Sequence, residues 1–152
     1  VTMLERYARI KEQSEDGFSV ADAADLAQQY VKAKQFTKGA ELFEKTAARD
    51  ESLAAWHYKE AAAAWLAAKE KPKALATAKK SEAAQPEHRS DLLQYFWHRN
   101  LADVFLDAGD PVSAIPHYEQ AIAITKIDGY RKDSEQRLLD AQRKAEKQTP
   151  GQ

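Results

Sequence analysis

HRNLADVFLDAGDPVSAIPHYEQA, residues 98–121, decides the fold. One amphipathic run ends on Phe105 and Leu106, and a second carries Ala114, Tyr118 and Ala121. Between them lies Ala108-Gly109-Asp110-Pro111. Gly109 suits the left-handed conformation that closes one helix, Asp110 suits an N-cap, and Pro111 suits a first helical position. Two helices joined by so short a turn fold back as an antiparallel hairpin. One residue conflicts with this reading. Pro116 has no N–H and clashes one turn back, so the second helix is expected to begin nearer Val112 or Ser113.

The bulk numbers agree with a helical domain. The 152 residues are enough for one continuous core. Ala, Lys, Glu and Gln dominate, Gly and Pro are scarce, and β-branched runs are absent, which favours helix throughout. With a net charge of −1 there is no basic excess for a phosphate backbone, which argues against nucleic acid as the main partner. No apolar stretch is long enough to span a bilayer, so membrane insertion is not expected. The chain opens V-T-M-L-E-R without a signal-peptide core, and cytoplasmic is the default expectation. With no Cys, disulfides and thiol chemistry are excluded.

Taken in order, Met3, Tyr7 and Ile10 mark an N-terminal helix within 1–17. Ser19 caps a run to about Lys34 with Ala23, Leu26, Ala27 and Tyr30 inward. Phe36 to Ala48 follows, with Ala40, Phe43 and Ala47 inward. Asp50 is expected to cap a long run to Lys69, and Pro72 to open a helix to Ala84. Gln85-Pro86, or alternatively Ser90, starts a helix to Ala108 that would be roughly 30 Å long if unbroken. After the hairpin, Asp128-Gly129 is expected to interrupt, and a charged helix over 129–147 to close the fold, with Leu138, Ala141 and Ala145 inward. A frayed tail is expected over 148–152.

Three hairpins share one pattern. Each inner run ends on a large ring, Tyr30, Trp65 or Phe105, and nine residues later stands a small residue, Gly39, Ala74 or Ala114. Four further on come Phe43, Ala78 and Tyr118. A small residue lets the two backbones approach, and the facing ring fills the space beside it. The repeat length is 35 residues and then 40, the excess falling around Pro86 to Asp91. One hairpin cannot bury its own apolar face, so the hairpins must stack.

These residues resemble the tetratricopeptide repeat. The first repeat (18–50) holds Leu26-Ala27, Tyr30, Gly39 and Phe43; the second (51–85) holds Tyr58, Ala61-Ala62, Trp65 and Ala74, with Pro86 as the terminal proline. The third (86–128) holds His98, Leu101-Ala102, Phe105, Ala114 and Tyr118. Ala23 and Ala78 stand where the family usually has aromatics, and Glu51 and Lys126 where it has proline. The resemblance implies an all-α right-handed superhelix of antiparallel hairpins with a C-terminal capping helix. It also implies a protein-interaction module whose first helices line a concave groove. The groove positions are then Ala24, Gln28 and Val31; Trp56, Lys59, Ala63 and Leu66; Phe96, Arg99, Asp103 and Leu106. Trp56 and Phe96 are the expected anchors, since aromatics beside an Arg are typical of hot spots. The subgroup that grips the C-terminal peptide of heat-shock chaperones uses Lys and Asn where this chain has Ala24, Gln28 and Glu60. Only Arg99 keeps its charge and Asp103 reverses one, so that ligand is not expected.

No constellation points to catalysis, a metal or a cofactor. His98 replaces a core aromatic and reads as packed; His57, His88 and His117 read as surface residues. No phosphate loop, nucleophile elbow or metal-ligand spacing is present. Lys69, Lys71, Lys73, Lys79 and Lys80 read as a solvated turn and outer face. A protein or peptide partner is the favoured expectation, self-association within a larger protein the alternative, and an α-helical enzyme a distant third.

Overall fold

The computed structural model describes residues 4–6, 9 and 19–148. Residues 4–6 and 9 are helical, and the stripe of Met3, Tyr7 and Ile10 lies outside the described residues. From residue 19 the order is α1 (Val20–Lys32), α2 (Phe36–Arg49), a 3₁₀ turn (Glu51–Leu53), α3 (Ala54–Ala67), α4 (Lys71–Ala84), α5 (Asp91–Asp107), α6 (Pro111–Ile124) and α7 (Asp128–Gln148). No strand occurs among the described residues. Each helix packs on the next, and α3 also packs along α5, so three hairpins stack into a helical repeat solenoid closed by α7.

The hairpin turns repeat at the level of single hydrogen bonds. Gln35, Glu70 and Asp110 each donate their backbone N–H to the carbonyl of the ring residue five before, Tyr30, Trp65 and Phe105, at 2.8, 2.9 and 2.8 Å. This closure needs one left-handed residue, which is Gly109 (φ 96°) in the third hairpin. Lysines fill the same place in the other two, Lys34 (φ 62°) and Lys69 (φ 67°). The Asp110 carboxylate accepts from Ser113 N at 3.2 Å, as expected of a cap.

The small residues lie inside. Ala74 and Ala114 are fully buried, and so are their ring partners Trp65 and Phe105. At Gly39 the approach is closest: an added Cβ would stand 2.7 Å from Val31 Cγ2 and 3.2 Å from the Ala27 carbonyl. The main core runs from Ala40 through Trp65, Trp97, Leu101 and Phe105 to Ala141 of α7. A smaller cluster of Ala27, Phe43 and Ala61 serves the first hairpin.

Several local expectations are corrected. Pro116 does not delay α6, which begins at Pro111 and carries Pro116 in its interior. Pro116 is on the exposed side beside exposed Val112, so the carbonyl left without a helical donor is within reach of water. Asp50 does not cap α3. Its carboxylate instead accepts from Ser52 Oγ at 2.8 Å and meets His57 Nε2 at 3.3 Å, and Leu53 occupies the cap position. Of the two starts weighed for α5, Ser90 is the cap, accepting from Leu93 N at 3.2 Å. That leaves 85–90 without regular structure and shortens α5 to 17 residues, about 25 Å. Asp128-Gly129 does not interrupt but forms the first turn of α7, where the Asp128 carboxylate suits the positive end of the helix dipole. His57 and His117 are buried rather than on the surface, because each is held by a carboxylate, Asp50 and Glu82 respectively.

Candidate functional site

The first helices of the three hairpins, α1, α3 and α5, bear the positions expected to line the concave face. Gln28 and Ala63 are exposed, and Val31, Trp56 and Leu66 are half-buried. These five come from α1 and α3, which do not pack along one another as α3 and α5 do. The indole N–H of Trp56 is buried and finds no acceptor among the described residues. Lys59 does not project into this surface as expected. Only 8% of it is exposed, its Nζ sits 2.9 Å from Glu60 Oε1, and it lies 5.5 Å over the Trp56 ring. Lys59 therefore stiffens Trp56 from beneath, a cation–π contact with the charge already paired.

At α5 the matching positions Phe96, Arg99 and Asp103 are half-buried too, and α7 engages them. Tyr130 of α7 packs edge-on against Phe96 at 5.5 Å and stacks on Tyr95 at 5.2 Å. The Tyr95 hydroxyl donates to the Tyr130 carbonyl at 3.1 Å and meets Ser134 Oγ at 3.0 Å, both inside the contact. Arg99 donates to Asp133 Oδ2 at 3.1 Å. Asp103 is the hub: Tyr118 Oη donates to it at 2.5 Å and Arg137 Nη1 at 2.8 Å, and Arg99 Nε stands 3.7 Å away. Leu106 does not line the surface as expected: it is 6% exposed and belongs to the main core cluster. So Phe96, Arg99 and Asp103 are engaged from one face of α7, by Tyr130, Asp133 and Arg137, which recur at helical spacing.

This network fixes its own protonation. Burial and the bond to Asp103 push the Tyr118 phenol above its ordinary range, so it stays a donor. Burial, reinforced by the nearby charge of Asp103, raises the Asp107 carboxyl. Burial works against the Arg137 cation, but Asp103 and Asp133 outweigh it and hold the guanidinium above its ordinary value. No cluster of three metal-ligating side chains occurs among the described residues, nor any helix long and apolar enough to cross a membrane.

The solved structures it resembles place the fold. The nearly identical TPR-like repeats of a Podosopora anserina protein assigned as a kinesin light chain superpose with a TM-score of 0.71 at 21% identity, over 93% of this chain and 75% of that one. MamA superposes with a TM-score of 0.62 at 18% identity, over 97% of this chain and 90% of that one. No protein-family model matches the sequence, and no curated protein does. The fold is therefore of the tetratricopeptide type, an all-α repeat solenoid.

Proposed function

We propose that the chain is an interaction scaffold, and that the open part of its concave face, on α1 and α3, docks an extended peptide or a single amphipathic helix of a protein partner. The observation that carries this reading is Trp56, a half-buried ring on the same helix as half-buried Leu66 and exposed Ala63, with half-buried Val31 and exposed Gln28 on α1. An amphipathic helix or strand brings apolar side chains for Val31 and Leu66 and polar contacts for Gln28. The fold type, shared with repeat scaffolds, supports the same reading.

The test selects peptides from a displayed random library on the intact chain and measures their affinity by titration. Trp56→Ala is expected to weaken them by about thirtyfold, the loss of one hot spot, while Phe96→Ala leaves them within about twofold. Selected peptides that bind wild type and Trp56→Ala equally would overturn the groove. A second reading, self-association, is favoured by Leu92 and Ile127, exposed at 48% each around one small apolar cleft of about 180 Å³. Sedimentation at rising concentration separates the two, since a peptide scaffold keeps a constant mass.

A further inference from the structure

A cavity of about 410 Å³ opens between α4, α5 and α6, away from the concave face. Gln85 and Pro86 of the irregular segment form one wall, and the Glu87 carbonyl accepts from buried Gln94 Nε2 at 3.2 Å to hold that segment. Three side chains from three helices form a chain along its edge. His117 Nε2 lies 2.8 Å from Glu82 Oε2, and His117 Nδ1 lies 3.0 Å from His98 Nδ1. Trp97 stands edge-on to both imidazoles, at 4.8 and 5.5 Å, and its own N–H is spent on Ser81 Oγ at 3.1 Å.

The hydrogen bonds set the tautomers. A carboxylate only accepts, so His117 carries its proton on Nε2. With that single proton on His117, its Nδ1 accepts, and His98 donates from its own Nδ1. His98 Nε2 is left as a lone pair on a ring that lines the cavity. Glu82 Oε1 is likewise without a partner among the described residues, and Glu82 is the only carboxylate in the lining. Burial, and then the neighbouring His117, lower His98 to about 4, so its lone pair is available at neutral pH. The lining thus offers unused acceptors and one negative charge, with Trp97 and Pro86 as apolar walls. A cation whose N–H groups donate matches both features; an anion matches neither.

We propose that this cavity is a second binding site, distinct from the groove, that takes a cationic nitrogen group: an alkylammonium or guanidinium held between Glu82 Oε1 and His98 Nε2, with its aliphatic stem against Trp97 and Pro86. The chemistry is shared by a free small amine and by a Lys or Arg side chain of a partner protein.

The test uses the full chain labelled with ¹⁵N and follows the ring correlations of its four histidines. Probes are n-butylammonium, N-acetyl-arginine methylamide and the uncharged N-acetyl-citrulline methylamide. His98 and His117 are expected to shift saturably with the two cations, at Kd values on the order of 1 mM, and to stay still with citrulline. His57 and His88 should not move. Glu82→Gln is expected to weaken the cations about tenfold. Butylammonium binding as tightly as the arginine amide identifies a free amine; an arginine amide about tenfold tighter identifies a protein side chain. Equal shifts with citrulline, or none at about 50 mM cation, overturn the site. If Glu82→Gln unfolds, the citrulline comparison on wild type decides alone. Trp56→Ala should leave this titration unchanged, so the cavity and the groove fail separately.

Discussion

At the α1–α3 end Gln28 is exposed and Val31, Trp56 and Leu66 are half-buried, with no contact from α7 described. At the α5 end the equivalent positions are half-buried as well, but α7 engages them, Phe96 through a tyrosine ring and Arg99 and Asp103 through ion pairs. The two ends share one repeat pattern, and only the second has a capping helix directly after it in the chain. Charged residues on a repeat's inner helix therefore do not by themselves mark a ligand site; at the last repeat they are the seat of the cap. α7 packs on α6, at the far end of the stack from α1.

The comparison can be broken most strongly through the core. Phe105, fully buried in the main cluster, should cost about 3–5 kcal/mol when replaced by Ala, measured by chemical denaturation. Phe43→Ala, in the small first-hairpin cluster, should cost less and should loosen hydrogen exchange mainly in α1 and α2. Equal costs with uniform loosening would mean that the two ends fold as one unit. Next comes the cap. Asp103→Ala removes the shared acceptor of Tyr118 and Arg137, and should cost about 2 kcal/mol and raise exchange in α7. It should also unmask Phe96 to photolabelling by a small diazirine probe; a silent α7 would show that Asp103 does not hold the cap.

Smaller effects sharpen the comparison at the turns and at His98. Gly109→Ala should lose about 1 kcal/mol, and Lys34→Gly or Lys69→Gly should gain up to about 1 kcal/mol, because only glycine takes a left-handed φ freely. Thermal melts of the three variants check the signs. For His98 the folded value lies near 4 and the ordinary value is 6.5. Between those limits the unfolded chain binds more protons. Stability should therefore be highest above about pH 6.5 and fall as pH drops toward 4, by on the order of 1 kcal/mol once the ring's partial exposure is discounted. His98→Gln should flatten that slope, with His117 and Glu82, the groups that face it, left in place. An unchanged slope would assign the dependence to another group.

Local signals in the sequence led to the hairpins. Gly39, Ala74 and Ala114, each nine residues after a ring, mark backbone crossings, and all three are buried. The Gly109-Asp110-Pro111 turn forms as its chemistry dictates, since its hydrogen bonds close within a few residues. What stayed hidden depends on contacts between distant residues. Nothing within α5 foretells that Asp103 meets Arg137, and nothing within α6 that His117 meets Glu82. Spacing within one helix gives a side chain's direction and not the identity of what arrives from another. Lys34 and Lys69 were hidden for another reason: an ordinary side chain in a left-handed conformation leaves no mark, although their shared offset of four residues from Tyr30 and Trp65 was a usable one. Pro116 was misplaced because a helix's tolerance for proline depends on whether the freed carbonyl faces water.

The segment 85–90 acts as a dislocation in an otherwise regular stack. The regular part of the stack also leaves hollows, one of about 390 Å³ lined by Glu44, Trp65 and Thr77. What the slip adds is a wall of irregular backbone, Gln85 and Pro86, beside two imidazoles. An insertion in a repeat array can thus change what lines a hollow without having to create it.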